Sequence, residues 1–315
     1  MSNETAPPLP DQCSCETCEA AKFEAFPAQR TRLGELEIRR ALPRAKRRLV
    51  GPWCFLDRYG PLTFSDAKPM DVAPHPHIGL QTVSWLLEGE VLHRDSLGFE
   101  SLVRPGELNV MTSGRGISHA EETPRGNSGQ LSGVQLWVAL PDAARDRPPS
   151  FAHHDDLPSL EVDDATLTLF MGQAAGQRSP ASAYSPMIGA DVTVRSKTAI
   201  PLERSFEHAL FVLDGAAELD GEPLTPDVLY YLGTRRDELP LTTRDGARLL
   251  LLGGAPFGET VLMWWNFVAR THEELVAAAK EWEARSSRFG EVHGYDGPRL
   301  DAPPLQARAQ ANPAS

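Results

Sequence analysis

The sequence lacks the features of a membrane protein, an exported protein or a disulfide-stabilised fold. No run of about 18 apolar residues occurs, which is the length that a membrane-spanning helix needs. The start, MSNETAPPLPDQ, has neither the basic region nor the apolar core of an export signal. Cysteine occurs only four times, with Cys13, Cys15 and Cys18 crowded together and Cys54 alone in an apolar context, which is not a disulfide framework. We expect a cytoplasmic protein without a membrane span.

Positive charge is also scarce. Lys and Arg number 31 against 43 Asp and Glu, which gives a formal net charge of −12. Such a balance repels a phosphate backbone unless the basic residues are strongly segregated. The one dense basic run, from Arg39 to Arg48, is explained more simply by a solvated strand edge than by nucleic-acid contact. We therefore expect no direct nucleic-acid binding.

What the chain does contain is a repeated pattern of short apolar runs. They are four to eight residues long and are broken by Gly, Pro, Asp and Asn, as in the run from Thr82 to Leu87 that ends at Glu88-Gly89. This pattern is typical of an all-β fold. It fills two zones, about 30–141 and 165–268, and 315 residues suffice for two hydrophobic cores. We expect tails at 1–27 and 301–315, a first domain at 28–150 and a second at 151–300.

The second zone echoes the first, and one helix follows it. The run from Ala209 to Gly215 resembles the run from Val83 to Gly89 as a strand entering a turn, so an internal duplication is plausible. A polar, Pro-rich stretch at 142–158 is the expected linker. Near the end, Thr271 and Glu274 form a capping-box pattern ahead of apolar residues at helical spacing, which predicts a helix at about 272–285.

Two short motifs carry ligands suited to a metal ion. His75-Pro76-His77 places two imidazoles two residues apart, and residues i and i+2 of a strand project from one face. His119-Ala120-Glu121 repeats the arrangement with an imidazole and a carboxylate, just after a glycine-rich turn. A single His-x-His pair is more often exposed or hydrogen-bonded than ligating, but the second pair favours a four-ligand site.

The ligand types narrow the metal to a class. Three nitrogens and one carboxylate oxygen suit a divalent first-row ion, with Fe(II) first and Mn, Ni, Cu, Co and Zn as alternatives. A six-coordinate ion would keep two positions for water, dioxygen or a chelating substrate, and open positions distinguish reactive from structural sites. The cluster Cys13, Cys15 and Cys18 is a poor metal site because it has no fourth ligand nearby. The run Gly114-Arg115-Gly116 lacks the spacing of a phosphate loop and is interpreted as a turn.

His93 lies between the two motifs, in the run Leu92-His93-Arg94-Asp95-Ser96. It could be a fifth ligand or a partner that holds a ligand in place. A structural histidine bonded to a turn is an equally good interpretation.

The run HPHIGLQTVSWLLEGEVLHRDSLGFESLVRPGELNVMTSGRGISHAEETP closely resembles the signature of the pirin family within the cupin superfamily. The resemblance continues upstream through GPWCFLD and downstream through QLW and GGAPFGE, over about residues 33 to 295. It implies two tandem cupin (jelly-roll-like) β-barrels, face to face, with metal, usually iron, in the N-terminal one only. The family's four ligands fall on His75, His77, His119 and Glu121. The second barrel should be metal-free, since Glu207-His208 offers at most one imidazole.

The sequence departs from the family pattern beside the ligands. Pirins usually read HPHRGFET, whereas Ile78, Leu80 and Gln81 stand here for the arginine, the phenylalanine and the glutamate, and Ala139 stands where an asparagine is common. Together with His93 and Met111, the first three are expected to surround the ligands or line the substrate pocket. Changes of this kind alter metal affinity or activity by roughly ten- to a hundredfold.

The resemblance implies a metal-dependent dioxygenase of the quercetin 2,3-dioxygenase type, which converts a flavonol and dioxygen into a depside and carbon monoxide. Glu121 would be both a ligand and the base that takes the flavonol's hydroxyl proton. For a bacterial-looking protein the flavonol could stand in for another chelating aromatic. An alternative is a non-enzymatic regulator whose metal redox state controls binding to a partner protein, as implied by animal members. A vestigial site is the weakest reading, because all four ligand types are present.

Overall fold

The computed structural model describes residues 23–33, 36–65 and 67–305, and nearly all of its regular structure is strand. Up to the first helix the elements are β1 (Glu24–Pro27), β2 (Gln29–Leu33), β3 (Leu36–Leu42), β4 (Trp53–Thr63), β5 (Asp71–His77), β6 (Leu80–Gly89), β7 (Val91–Asp95), β8 (Glu100–Val103), β9 (Leu108–Thr112), β10 (Ile117–Glu122), β11 (Gln130–Ala139) and α1 (Asp142–Arg145). The remaining elements are β12 (Ser150–His154), β13 (Ser159–Val162), β14 (Ala165–Ala174), β15 (Gln177–Arg178), β16 (Met187–Val194), β17 (Lys197–Pro201), β18 (Glu207–Gly215), β19 (Ala217–Leu219), β20 (Glu222–Leu224), β21 (Val228–Gly233), β22 (Glu238–Thr242), β23 (Ala247–Gly254), β24 (Leu262–Trp264), β25 (Phe267–Ala269) and α2 (His272–Glu283).

Each domain is a large sheet facing a small one. In the first domain the large sheet has the order β12-β9-β6-β11-β4-β3-β2 and the small sheet β5-β10-β7-β8. In the second domain the large sheet has the order β1-β21-β18-β23-β16-β14-β13, with β15 paired to β14. Its small sheet has the order β17-β22-β19-β20. The two small sheets match strand for strand, which confirms the predicted duplication and the tandem cupin fold. Among the described residues these sheets stay open at their edges, so each domain is a jelly-roll-like sandwich rather than a closed barrel.

The large sheets pack against each other and share one apolar core. Trp53 and Trp85 of the first domain both contact Phe170 of the second, with ring centroids 6.1 and 5.4 Å apart. The indole N–H of Trp53 donates to the backbone carbonyls of Ile188 and Gly253 at 3.0 and 3.2 Å. Buried indoles need such partners. The two domains are therefore joined by a packed interface rather than by a linker alone.

Two members of the basic run, Arg39 and Arg47, contribute to this interface together with Arg58, so the expected solvated edge is wrong for these two. Arg39 Nη1 donates to Asp227 Oδ2 at 3.0 Å, and Arg58 Nη1 donates to Asp227 Oδ1 at 2.9 Å. The Arg47 guanidinium lies 3.5 Å from the ring centroid of Tyr231. These arginines of the first domain thus bind the carboxylate of Asp227 and the ring of Tyr231 in the second domain.

The expected boundaries need two corrections. Residues 24–27 were placed in a loose tail, but they form β1, which pairs antiparallel with β21 at the edge of the second domain's large sheet. The expected linker holds α1 and also β12, which pairs with β9, so the first domain extends to His154. Both segments are short edge strands, whose stability comes from a distant partner and not from their own apolar pattern. The cluster Cys13, Cys15 and Cys18 lies outside the described residues.

The end of the chain returns to the first domain. The predicted helix is confirmed as α2, and its N-cap Thr271 accepts a hydrogen bond from the backbone N–H of Glu274 at 3.2 Å. Its buried face packs with Ile78 and Phe267, and the backbone N–H of Leu300 donates to Pro74 O at 2.9 Å. C-terminal residues thus pack against the first domain. Within the described ranges, no helix has the length and apolarity to cross a bilayer.

Candidate metal centre

The small sheet of the first domain brings both sequence motifs together. Strands β5 and β10 are antiparallel neighbours, and His119 lies directly opposite His75. Residues opposite each other project from the same face, and His77 shares that face because it is two positions from His75. A register shift between His119 and Glu121 marks a β-bulge. Strand geometry alone therefore directs three imidazoles to one point inside the sandwich.

Proline in the first motif is compatible with this arrangement because β5 is an edge strand. Pro74 and Pro76 cannot donate to a neighbouring strand, and edge strands are where sheets tolerate proline. The turn before β10 closes as predicted, with Gly116 N donating to Ser113 O at 2.9 Å. A side chain at Gly114, where φ is +50°, would collide with the carbonyl oxygen of Arg147. Glycine is required there.

Two of the imidazoles have their tautomer set by the backbone. His75 Nδ1 lies 2.9 Å from Ala73 O, and His77 Nδ1 lies 2.9 Å from Asn266 O. A carbonyl oxygen only accepts, so each Nδ1 carries the proton and each neutral ring keeps a lone pair on Nε2. Burial lowers the pKa of His75 to about 4. Burial and the neighbouring rings hold the pKa of His77 well below its ordinary value, so both rings are neutral at physiological pH.

His119 lies between these rings and His93. Its Nε2 is 3.0 Å from Nε2 of His77, and its Nδ1 is 3.3 Å from Nδ1 of His93. Burial and the other imidazoles hold the pKa of His119 well below its ordinary value. Two ring nitrogens 3.0 Å apart must share either a proton or a cation.

The possible ligand atoms form two overlapping groups of three. In one, His75, His77 and His119 have ring nitrogens within 4.8 Å of one another; in the other, His93, His119 and Glu121 do so with the Glu121 carboxylate. All five residues are at most 8% exposed. His119 belongs to both groups, so the predicted ligands are neighbours, with Glu121 on the side towards His93. Within residues 23–33, 36–65 and 67–305, both groups of this geometry lie in the first domain.

Glu121 is held from the opposite sheet. Ser84 Oγ donates to Glu121 Oε1 at 3.1 Å, and the side-chain amide oxygen of Gln135 lies 3.0 Å from the same hydroxyl. Burial raises the pKa of Glu121, although His93 and Ser84 act in the opposite direction. A carboxyl group with a raised pKa is a better proton acceptor than an exposed one.

A cavity of about 400 Å³ opens onto His75, His77, His119 and Glu121. Its walls are largely apolar and aromatic: Leu36, Ile38, Phe55, Tyr59, Met70, Val72, Trp137, Trp265 and Leu300. Phe55 and Trp137 are stacked with centroids 4.0 Å apart. Trp137 also meets His77 edge to face at 5.3 Å, which links this aromatic wall to the imidazoles.

Four residues expected around the ligands or in the pocket do not line this cavity. Ile78 packs with Phe267 and α2, and Leu80 packs in a separate apolar cluster with Trp137. The Gln81 amide donates to Ser182 O of the second domain at 3.0 Å, and Met111 is fully buried. As pocket residues they were misplaced, because neighbours in sequence on a strand do not all face the same space.

The polar part of the cavity lining was not predicted from the sequence. Arg40 donates to both oxygens of Asp57, at 2.8 and 2.6 Å, and its guanidinium lies 4.7 Å from the Phe55 ring centroid. Burial raises the pKa of Asp57, and Arg40 partly offsets this. By register Arg40 lies beside Asp57, Asp57 beside Gln135, and Gln135 beside Ser84. These four side chains form a row across adjacent strands, roughly 4.8 Å apart per strand.

The equivalent place in the second domain is apolar. Strands β17 and β22 correspond to β5 and β10, and their paired residues include Thr198 with Leu241 and Ile200 with Leu239. The three aliphatic residues belong to that domain's core. His208 lies on β18, away from this pair. At this place the second domain therefore presents aliphatic side chains where the first presents imidazoles.

The residues of the first domain fit a divalent metal. Two Nε2 lone pairs, of His75 and His77, are fixed by backbone contacts, and His119 presents Nε2 to the same place. The buried carboxylate of Glu121 lies beside His119. This mixed nitrogen and oxygen set suits first-row divalent ions.

Comparisons with known proteins identify the family of the chain. The family model described as Pirin matches residues 35–138, and the model described as Pirin C-terminal cupin domain matches residues 189–290. The chain belongs to the pirin family.

Its relatives in the pirin family include bacterial and animal proteins. A Pseudomonas aeruginosa protein provisionally named quercetin 2,3-dioxygenase is 45% identical over 280 residues, with 88% of this chain and 89% of that protein covered. Human pirin is 27% identical, with 80% and 88% covered. A crystal structure titled quercetin 2,3-dioxygenase from Acinetobacter baumannii is 43% identical, with a TM-score of 0.88 and 92% and 97% covered.

Proposed function

We propose that this pirin-family protein is a metal-dependent dioxygenase of the quercetin 2,3-dioxygenase type, acting in the cytoplasm on a flavonol or a similar chelating aromatic. The observation that carries the proposal is a cavity lined both by the buried ligand cluster and by the stacked pair Phe55 and Trp137. A flat aromatic molecule could lie along such a wall with its chelating oxygens at the imidazoles. The names of the relatives from Pseudomonas aeruginosa and Acinetobacter baumannii support the same reaction.

The proposed ligands are Nε2 of His75, His77 and His119 and the carboxylate of Glu121. Fe(II) is the first choice of metal, with Mn, Ni, Cu, Co or Zn as alternatives. When bound, such an ion supplies a Lewis acid that favours the substrate's anion and gives access to dioxygen chemistry. Burial holds the imidazoles of His75 and His77 neutral, and Ala73 O and Asn266 O set their tautomer.

Glu121 is the proposed base for the substrate hydroxyl. It lines the cavity and has a pKa raised by burial. Ser84 orients it from the large sheet, and Gln135 lies beside Ser84 and also lines the cavity. A carboxylate in this position could accept the proton of a hydroxyl group brought to the imidazoles.

The apolar walls would exclude water from the reacting atoms, and the pair Arg40–Asp57 adds a polar feature to the lining. Arg40 is bound to Asp57 through Nε and Nη2, so Nη1 can still donate. A substrate with a hydroxyl or acidic group away from its chelating end would suit this cavity.

The test combines elemental analysis with turnover. We expect the purified protein to contain close to one equivalent of a divalent transition metal per chain. Loaded with iron under nitrogen, it should shift the absorption band of an added flavonol, and admitting air should consume the flavonol with release of carbon monoxide. A metal-loaded protein that neither shifts nor consumes the flavonol would reject this substrate class.

A further inference from the structure

We propose that His93 and Asp95 form a positioning pair that keeps Nε2 of His119 free for the metal. The inference rests on the proposed metal site and adds the two residues that would set the tautomer of one of its ligands. His93 is then neither a metal ligand nor a merely structural histidine. The chain of contacts runs from the Asp95 carboxylate through the His93 ring to the His119 ring.

The register between two paired strands places these three residues in contact. Strand β7 pairs with β10 so that Asp95 lies opposite His119 and His93 lies opposite Glu121. His93 Nε2 lies 3.2 Å from Asp95 Oδ2, and His93 Nδ1 lies 3.3 Å from His119 Nδ1. The rings of His93 and His119 are 5.1 Å apart. Each of the two nitrogens of His93 therefore faces a defined partner.

The pair is held rigidly. The other oxygen of Asp95, Oδ1, accepts from the backbone N–H groups of Leu97 and Phe99 at 2.9 and 3.1 Å. The His93 ring stacks on Phe151 with centroids 4.5 Å apart and an interplanar angle of 15°. Asp95 and His93 are 2% and 3% exposed. Neither residue can turn without breaking these contacts.

The proton positions follow from donor and acceptor roles. A carboxylate accepts, so the His93 nitrogen that faces Asp95 carries a proton. A neutral His93 then has its lone pair on Nδ1 and accepts from Nδ1–H of His119. This leaves the His119 lone pair on Nε2, the nitrogen that faces His77. All three imidazoles of the cluster then present Nε2 lone pairs to one place.

The same geometry argues against His93 as a ligand. His93 contacts the Nδ1 side of the His119 ring, whereas His77 contacts its Nε2 side. With Nε2 of His93 bound to Asp95, neither of its nitrogens is free for an ion held by His75 and His77. Partners that orient ligating imidazoles are worth roughly ten- to a hundredfold in metal affinity.

Asp95→Asn is the sharpest test because it exchanges one atom. The amide oxygen can still accept from Leu97 and Phe99, but the amide NH₂ now faces His93 and donates. His93 must then carry its proton on Nδ1, which forces the His119 proton onto Nε2. We expect zinc affinity, measured by chelator competition, to fall roughly ten- to a hundredfold with stoichiometry still at one.

A spectroscopic readout separates positioning from general damage. In the metal-free protein labelled with ¹⁵N-histidine, Asp95→Asn should shift the proton of His119 from Nδ1 towards Nε2 relative to the wild type. His93→Phe, which can still stack on Phe151 but accepts nothing, should weaken zinc binding. His93→Asn, whose side-chain oxygen can stand near the position of Nδ1, should recover part of the affinity. Asp191→Asn, the same exchange at a buried site of the second domain, is the matched control and should leave affinity unchanged.

Several results would overturn the proposal. Unchanged zinc affinity in both Asp95→Asn and His93→Phe would remove any positioning role. A cobalt absorption spectrum that shows a lower coordination number in His93→Phe would make His93 a ligand. If the wild type bound no zinc, the proposed site itself would fail, and the positioning role would fail with it. A site that binds zinc but turns over no flavonol would sink only the proposed reaction.

Discussion

Trp85 donates its indole N–H to Asp191 Oδ2 over 2.8 Å, from the first domain to the second. The same carboxylate receives Arg248 through both Nε and Nη2, and Trp85 stacks on Phe170. Trp85→Phe keeps most of the ring but removes the donor, leaving a buried charged group with one partner fewer. We expect the free energy of unfolding to fall by about 2 kcal/mol. Denaturant unfolding measures this.

The control for the Trp85 prediction is Trp264→Phe, a half-buried tryptophan of β24 away from the large-sheet interface. This variant should lower the free energy of unfolding by less than Trp85→Phe does. Equal losses in the two variants would mean that the bond to Asp191 contributes nothing specific.

Metal binding should depend on the first domain alone. We expect His119→Ala to abolish binding of the single equivalent, because His119 belongs to both groups of candidate ligand atoms. His208→Ala should retain it, since the second domain's equivalent strands carry aliphatic residues. Elemental analysis of the dialysed proteins measures how much metal each variant retains. Two equivalents per wild-type chain, or retention by His119→Ala, would place the site elsewhere.

Glu121→Gln separates binding from proton removal. Glutamine keeps an oxygen of similar reach for the metal and for Ser84 Oγ but cannot act as a base. We expect the flavonol band still to shift under nitrogen, while the turnover rate falls roughly 10²- to 10⁴-fold. Ser84→Ala, which only loosens Glu121, should have a smaller effect on the rate. A full rate in Glu121→Gln would eliminate Glu121 as the base.

The pairing of β1 with β21 can be tested by comparing two shortened chains, one starting at Phe23 and the other at Ala28. The difference between them is β1 together with the edge-to-face contact of Phe23 with Tyr230 at 5.2 Å. We expect the shorter chain to be less stable by about 1–2 kcal/mol, because it loses these contacts and exposes a sheet edge. Identical unfolding midpoints would show that residues 23–27 add nothing.

The buried His208 should make acid destabilise the metal-free protein. Burial lowers its pKa to about 4 from an ordinary value of 6.5, so the folded chain binds fewer protons than the unfolded chain between those values. This contribution to stability is present above about pH 6.5 and is lost as the pH falls through about 4. In His208→Gln, the free energy of unfolding should decline less over that interval. Parallel curves for wild type and variant would contradict the prediction.

Local periodicity explains why the candidate metal ligands could be placed on common strand faces from the sequence. His75 and His77 share a face because a strand repeats every two residues, and the same holds for His119 and Glu121. Only the meeting of the two strands needed the family resemblance or the structure. Ile78 and Gln81 were expected to surround the ligands or line the pocket because they depart from the family pattern there, but they pack on α2 and on the second domain and do not line the cavity.

By itself, the sequence determined the all-β tandem architecture, the helix after Thr271 and the four candidate ligands, because each depends on patterns within a few residues. Tertiary structure decided the placement of β1 on the second domain, the pairing of Arg40 with Asp57 at the cavity and the contact of His93 with His119. These depend on the register between paired strands, whose contacting residues are separated by 17 or more positions in the chain. No local pattern encodes such contacts, since their free energy arises only when both partners are already folded.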